Sequence, residues 1–223
     1  MRRVTAIAAC LVGASIAVLA QQNPGGPTAA DLLAGLSHAE RWVTYSGDYT
    51  GQRHSPLTAI TPANVHQLAA RWTFQTGTMT RGRGFEATPL AWDGVLYVTG
   101  SNNFAWALDG RTGRPFWQYR RDLPANLTYG AQAPVNRGFA MLGDRLFMVT
   151  LDAHLLAFDR TTGTVLWDLS DAICGPTACP ALVPGDDGRP IVVYRDDHHL
   201  SARYAARLAP AMGQAWDAAP PRR

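Results

Sequence analysis

Side chains that could do chemistry are sparse in this chain, and two clusters stand out: Cys174 and Cys179 in CGPTAC, and the run Asp196-Asp197-His198-His199. Two cysteines close in sequence across a Pro-containing loop can form a disulfide in an oxidising compartment. Metal ligation is the weaker reading of that pair, because neither has a second Cys or a His at ligand spacing nearby. The Asp-Asp-His-His run could be drawn as a metal cluster, but adjacent strand residues point to opposite faces, which favours a solvated loop. No catalytic residue and no metal ligand is assigned from the sequence.

The elements that would position any site repeat. GVLYVTGSNNFAWALDGRTGRPFWQ (94–118) aligns without a gap on DRLFMVTLDAHLLAFDRTTGTVLWD (144–168). A repeat of roughly forty to fifty residues built of short strands marks propeller blades. Leu96, Ala107, Asp109, Thr112, Gly113 and Trp117 return as Leu146, Ala157, Asp159, Thr162, Gly163 and Trp167. The apolar clusters LYV, AWAL, LFMV and LLAF are too short for helices and read as strands. Asp93-Gly94 and Gly143-Asp144 are hairpin pairs in which one residue takes positive φ at little cost. In the corner Asp-x-x-Thr-Gly, the Asp can accept from backbone N–H groups two or three residues on, and the Gly supplies a left-handed position. Each repeat closes on a Trp whose indole would bury its face between neighbouring sheets, a contribution of roughly 1.5–3 kcal/mol. The fold class is therefore all-β: a partial propeller of blades about fifty residues long, an incomplete ring, with a short N-terminal helix.

Composition excludes some classes. With 47% hydrophobic and 17% charged residues over 223 positions the chain is globular. The net charge of +3 is spread along the chain, with much of the Arg excess at its two ends, which argues against nucleic-acid binding. Residues 1–20 read as a cleaved signal peptide: Arg2 and Arg3, an apolar run from Val4 to Leu19, and Val18-Leu19-Ala20 before Gln21. The mature chain is then expected in the periplasm. Cys10 lies inside the apolar run, where the stretch before it is too short for a lipid-attachment box.

Residues 21–36 are read as a linker and short helix, capped by Thr28 with Asp31 three positions on and carrying Leu32, Leu33 and Leu36 on one side. A loop-rich stretch follows from Trp42, with a short helix around Asn64 to Leu68 and a strand ending at Trp72 to Phe74. The blades occupy 37–170. Residues 171–223 keep fragments of a blade (PALV, a GDDG turn, IVVY) and read as a degenerate third blade or an irregular tail. Their Ala, Arg and Pro enrichment also fits translation in an altered frame.

Several motifs together carry a resemblance: WxxYxGDxxxxRxSPLxxIxxxNVxxLxxxWxFxTG from Trp42, then FEATPLxxDGxLYVT, AxDxxTGxxxW and VNRG. Over about residues 31–170 the chain is similar to the amino-terminal portion of the quinoprotein alcohol dehydrogenases, the pyrroloquinoline-quinone (PQQ) enzymes of the bacterial periplasm. The resemblance implies a closed ring of four-stranded blades with PQQ near its axis, bound with Ca²⁺ or a lanthanide. It implies a primary alcohol as substrate and cytochrome c as electron acceptor. It also implies that Glu86 of FEATPL and Arg137 of VNRG contact the quinone cofactor. An Arg fork can hold a carboxylate or quinone oxygen with directed, charge-assisted hydrogen bonds. Read without the family, Glu86 could instead cap the turn before Thr88-Pro89, and Arg137 could be a solvated residue leading into a strand.

Departures count as well. Where many members carry adjacent cysteines just before the Arg, this chain has Ala131-Gln132, and the family's metal-ligating, cofactor-stacking and general-base segments have no counterpart here. The expectation is an N-terminal, truncated portion of a PQQ-dependent alcohol dehydrogenase, inactive alone or completed by a partner chain. The alternatives are a non-catalytic periplasmic propeller scaffold that binds proteins, and a decayed gene product.

Overall fold

The computed structural model describes residues 25–78, 85–125, 134–170, 174, 180–193 and 201–218. Residues 1–20, expected to be a signal peptide, with Cys10, the pair Ala131-Gln132, Cys179 and the run 196–199 lie outside the described residues.

Two four-stranded antiparallel meanders form the body. The first runs β1 (Leu90–Trp92), β2 (Val95–Thr99), β3 (Ala105–Asp109) and β4 (Pro115–Tyr119); the second runs β5 (Ala140–Leu142), β6 (Arg145–Val149), β7 (Leu155–Asp159) and β8 (Val165–Asp168). Their registers match strand for strand. Trp92 pairs with Val95 and Leu142 with Arg145 across two-residue hairpins, and a register shift falls at Ala107/Leu108 in one sheet and Ala157/Phe158 in the other. The corners also repeat. Asp109 Oδ1 accepts from the backbone of Arg111 at 2.7 Å and of Thr112 at 3.2 Å; Asp159 Oδ1 accepts from Thr161 at 2.9 Å and Thr162 at 2.8 Å. These are the side-chain-to-backbone bonds that the Asp-x-x-Thr-Gly spacing permits.

The sheets stack face to face. Tyr97, Ala105, Ala107 and Trp117 of the first pack on Met141, Leu146, Met148, Leu156 and Phe158 of the second in one continuous core. Trp117 locks the stack: its indole N–H donates to the Arg160 carbonyl at 3.0 Å. Its ring lies where a Cβ on Gly163, at φ 71°, would come within 2.6 Å, so that corner must be glycine. Arg160 returns across the same interface and donates to the Tyr97 hydroxyl at 2.8 Å.

The opposite face of the first sheet repeats the arrangement with a partner that is not a full blade. Trp72 donates to the Gly110 carbonyl at 3.1 Å and lies over Gly113, and Phe74 packs with Trp106 in an edge-on contact at 5.6 Å. Residues 69–76 carry no assigned element, with Trp72, Phe74 and Thr76 half-buried and their neighbours exposed. The alternation is that of a strand, as expected, yet they form no ladder with another strand among the described residues. The short helix expected near Asn64 is a single 3₁₀ turn, Val65–Gln67.

Helix α1 (Ala29–Ala34) carries the capping box anticipated at Thr28 and Asp31. Of its leucines, Leu32 packs on the core while Leu33 is 79% exposed. Arg41 ties this region to the first hairpin, with its guanidinium 4.1 Å from the Trp92 ring and 3.5 Å from Asp31. Trp42 exchanges backbone hydrogen bonds with Ala91 at 2.8 and 2.9 Å, which adds an isolated bridge to the β1 edge of the first sheet.

Beyond β8 the blade fragments around Leu182-Val183 and Ile191-Val192 pair across the GDDG turn, and a helix follows them where a third blade or irregular tail was expected. A two-stranded ribbon, β9 (Leu182–Val183) and β10 (Ile191–Val192), is followed by the 17-residue helix α2 (Ala202–Ala218). Tyr204 and Leu208, one turn apart, bury against Ile191 and Val193, and Leu155 of the second sheet joins the cluster. The Ala-rich composition that reads as out-of-frame coding is also strong helix-forming composition. Pro210 sits inside the helix despite the N–H it lacks.

Candidate functional site

Glu86 and Arg137 come from different sheets and meet. Glu86 stands four residues before β1 and Arg137 three before β5, each on the lead-in to the first strand of its sheet. Their side chains form an ion pair at 3.4 Å, with Glu86 41% and Arg137 70% exposed. The carboxylate occupies one edge of the guanidinium and leaves the rest of the fork open to a ligand.

The backbone that delivers Arg137 is fixed by its neighbours in VNRG. Asn136, 8% exposed, donates to the Val149 carbonyl at 2.8 Å and accepts from the Gly138 backbone at 3.1 Å. Gly138 has φ 124°, and a Cβ there would lie 3.2 Å from the Thr88 carbonyl, so the segment leading into β5 approaches FEATPL at a position that favours glycine. Sequence reasoning singled out the charged residue and missed the two that aim it. Their signal is the adjacency of an amide and a glycine on either side of an arginine.

The segment from Trp42 adds two groups that the sequence reading did not select. The Arg53 guanidinium stacks 4.5 Å from the centre of the Tyr45 ring. Hydrogen bonding from Arg53 and its charge, with lesser help from Thr88 and Arg137, hold the Tyr45 phenol below its ordinary range. Arg53, Arg137, Tyr45 and Glu86 thus gather two cations, a phenol and one carboxylate. That set suits a planar polyanion, whose carboxylates would take the guanidinium forks. Among the described residues no group of three or more His, Cys, Asp or Glu could hold a metal ion.

A second polar cluster joins the other corners of the two sheets. Asn103, fully buried, accepts from the Leu151 backbone at 2.8 Å and donates to Asp152 at 3.0 Å, and Arg121 reaches Asp152 at 2.7 Å. His154 Nδ1 lies 2.6 Å from both Asp168 and Ser170, and its Nε2 lies 3.5 Å from Asp152. A serine relay would need the hydroxyl and the orienting carboxylate on opposite ring nitrogens. Here Ser170 shares Nδ1 with Asp168 and donates to that carboxylate, and Asp152 at 3.5 Å from Nε2 is beyond hydrogen-bond distance, so the cluster tethers β7 to the end of β8. Burial works to raise the Asp168 carboxyl, and the Ser170 and His154 hydrogen bonds outweigh it to leave it lowered.

Comparison with known proteins bears on the Glu86–Arg137 site. The family model described as glucose/ethanol/alcohol dehydrogenase, beta-propeller domain (PQQ), matches residues 42–172, which take in both sheets and all four site residues. The chain belongs to this PQQ-type propeller family. The quinoprotein ethanol dehydrogenase of Pseudomonas putida is 36% identical over 163 residues, which are 73% of this chain and 26% of that protein. A quinohemoprotein alcohol dehydrogenase structure from the same species superposes with a TM-score of 0.57 at 34% identity, covering 65% of this chain and 21% of the other. A europium-containing methanol dehydrogenase gives 0.58 at 32% identity, over 63% and 25%. This PQQ-family chain therefore spans about a quarter of the length of the relatives it matches. A second model, SGNH domain (fused to AT3 domains), matches residues 147–214. That stretch overlaps β6 to β8, which repeat β2 to β4 in register. Cys174 is disulfide-bonded, while Cys179, the partner expected from sequence, lies outside the described residues.

Proposed function

We propose that the chain is the N-terminal part of a periplasmic PQQ-dependent alcohol dehydrogenase, that it contributes one wall of the cofactor site, and that it does not turn over alcohol alone. The observation that carries this is the ion pair of Glu86 and Arg137 across two adjacent sheets, at 3.4 Å and open to solvent. PQQ is a planar tricarboxylate with an ortho-quinone, and when bound it supplies the two-electron acceptor for hydride leaving the alcohol carbon. Arg137 would hold a carboxylate or quinone oxygen with its free fork edge, while Glu86 keeps the guanidinium turned toward the ligand and accepts from a ring N–H or a water. Arg53 would supply a second cation beside Tyr45, for a second carboxylate.

The ring of residues around the ligand is completed by further blades, supplied from a partner chain or a longer polypeptide. Ca²⁺ or a lanthanide, a primary alcohol and a cytochrome c acceptor belong to that complete assembly. Export through residues 1–20 would place it in the periplasm.

The test uses the mature chain alone. PQQ is titrated while tryptophan fluorescence is followed, and the same titration is run on Arg137→Ala. Weaker binding by the variant is expected, and equal affinity for both counts against the site. Dye-linked oxidation of ethanol by the chain with added PQQ and Ca²⁺ is expected to be nil, and measurable turnover would overturn the claim of inactivity alone.

A second reading, a non-catalytic scaffold that binds proteins, is favoured by the exposed apolar residues Leu57, Ile60, Val65 and Leu68 of the lead-in segment. Retained PQQ affinity separates the two.

A further inference from the structure

Two consecutive residues in the connection between β2 and β3, Asn102 at φ 58° and Asn103 at φ 59°, hold left-handed backbone. Asparagine tolerates that region better than most residues. The equivalent connection of the second sheet has Ala153, at φ 62°, in the place of Asn103. An alanine makes that turn without an amide, so the Asn103 side chain serves something beyond its own turn. Fully buried, it accepts from the Leu151 backbone at 2.8 Å and donates to Asp152 Oδ1 at 3.0 Å, which commits both ends of the amide to the second sheet. Arg121 holds the other oxygen of that carboxylate at 2.7 Å. Next to it, the Asn102 N–H donates to the Pro134 carbonyl at 3.0 Å, three residues before Arg137. The same lead-in is held again one residue before Arg137, where Asn136 donates to the Val149 carbonyl at 2.8 Å.

We infer that Asn103 is a positioning residue for Arg137. Three segments close a triangle: the turn Ser101–Asn103 of the first sheet, residues 149–152 of the second, and the lead-in 134–137. The turn holds the lead-in at Pro134 and the end of β6 holds it at Asn136, while the Asn103 amide ties those two holds to each other. Without the amide they can shift relative to one another, and Arg137 loses its direction while keeping its charge. A displacement well under 1 Å matters for a guanidinium that must meet a planar anion with directed hydrogen bonds. Because Asn103 is fully buried, it acts through Arg137 and not on a ligand itself. The inference rests on the proposed reading that Arg137 grips the quinone cofactor.

The test uses the mature chain, labelled with nitrogen-15, and reads two quantities: the Arg137 Nε–H resonance by NMR and PQQ affinity by tryptophan fluorescence. Asn103→Ala has the backbone precedent of Ala153, and Asn103→Gly removes the amide with no strain at positive φ. Both should move the Arg137 resonance toward that of a free guanidinium and weaken PQQ binding about three- to tenfold. In an Arg137→Ala background, Asn103→Ala should cause no further loss of affinity, since the group it positions is gone. Trp117→Phe, which loosens the stack away from this triangle, should leave the resonance and the affinity as in wild type; this control separates positioning from general destabilisation. An unshifted Arg137 resonance in the folded Asn103 variants would overturn the inference. So would a loss of affinity that persists in full when Arg137 is alanine. If the wild-type chain binds no PQQ, the cofactor reading fails, and the Arg137 resonance decides the positioning role by itself.

Discussion

The Trp117 indole donates to the Arg160 carbonyl at 3.0 Å while the Arg160 guanidinium donates back to Tyr97 at 2.8 Å, so one corner of the second sheet is bound to the first through both its backbone and its side chain. The two bonds cross the interface in opposite directions. The Tyr97 phenol is pushed up by burial, with the Arg160 charge opposing the shift, which keeps it a neutral acceptor for the guanidinium.

This interface should dominate stability. Trp117→Ala empties the space between the sheets and is expected to destabilise the chain by about 3–5 kcal/mol. Trp117→Phe keeps most of the packing, loses one hydrogen bond and should cost about 1–2 kcal/mol. Urea unfolding followed by circular dichroism measures both, and a Trp117→Ala midpoint equal to wild type would show that the sheets do not hold each other.

Gly163→Ala tests the same contact from the other side. The residue combines φ 71° with a Cβ position 2.6 Å from the Trp117 ring, so alanine must both strain the backbone and displace the indole. A loss of at least about 1 kcal/mol is expected. Gly188→Ala, at φ 74° with open space around it, controls for the backbone effect alone and should cost less.

Acid should loosen the two sheets at the Asp152 cluster. Burial works to raise the Asp152 carboxyl, but hydrogen bonds from Arg121 and Thr150 and the Arg121 charge outweigh it and hold it below its ordinary range. A carboxyl lowered in the folded state contributes stability that is present above its unfolded pKa of ~3.9 and is lost as pH falls through the folded value. Thermal midpoints should therefore fall below about pH 4, and Asp152→Asn should flatten that fall while lowering stability at neutral pH. An unchanged acid limb in the variant would assign the loss to other carboxylates.

Positioning of Arg137 should depend on its flanks. Asn136→Ala removes the bonds to the Val149 carbonyl and the Gly138 N–H. PQQ affinity in the fluorescence titration should drop toward that of Arg137→Ala although the charge is retained. Arg137→Lys should fail to restore it, because an ammonium cannot present a two-pronged donor. Full affinity in Asn136→Ala would mean that the loop holds its shape without the amide.

How much of this was legible beforehand depends on how local the cause is. The hairpins at Asp93-Gly94 and Gly143-Asp144, the corners at Asp109 and Asp159 and the capping box at Thr28 and Asp31 each rest on bonds within a few residues. The tail was not legible. Ala-rich residues near Pro210 support either a broken blade or a helix, and the choice falls to burial of Tyr204 and Leu208 against the ribbon. Asn136 and Gly138 were passed over because their importance lies in distant partners, the Val149 and Thr88 carbonyls.

Residue order alone specifies two identical strand meanders, their turns and the tryptophan that ends each, since these follow from side-chain alternation and from which residues tolerate positive φ. Only the stacking of the sheets places Glu86 beside Arg137 and brings Tyr45 and Arg53 to the same edge. Those are relations between residues far apart in sequence, and the free energy that selects them comes from surface buried between elements, which no short window of residues contains.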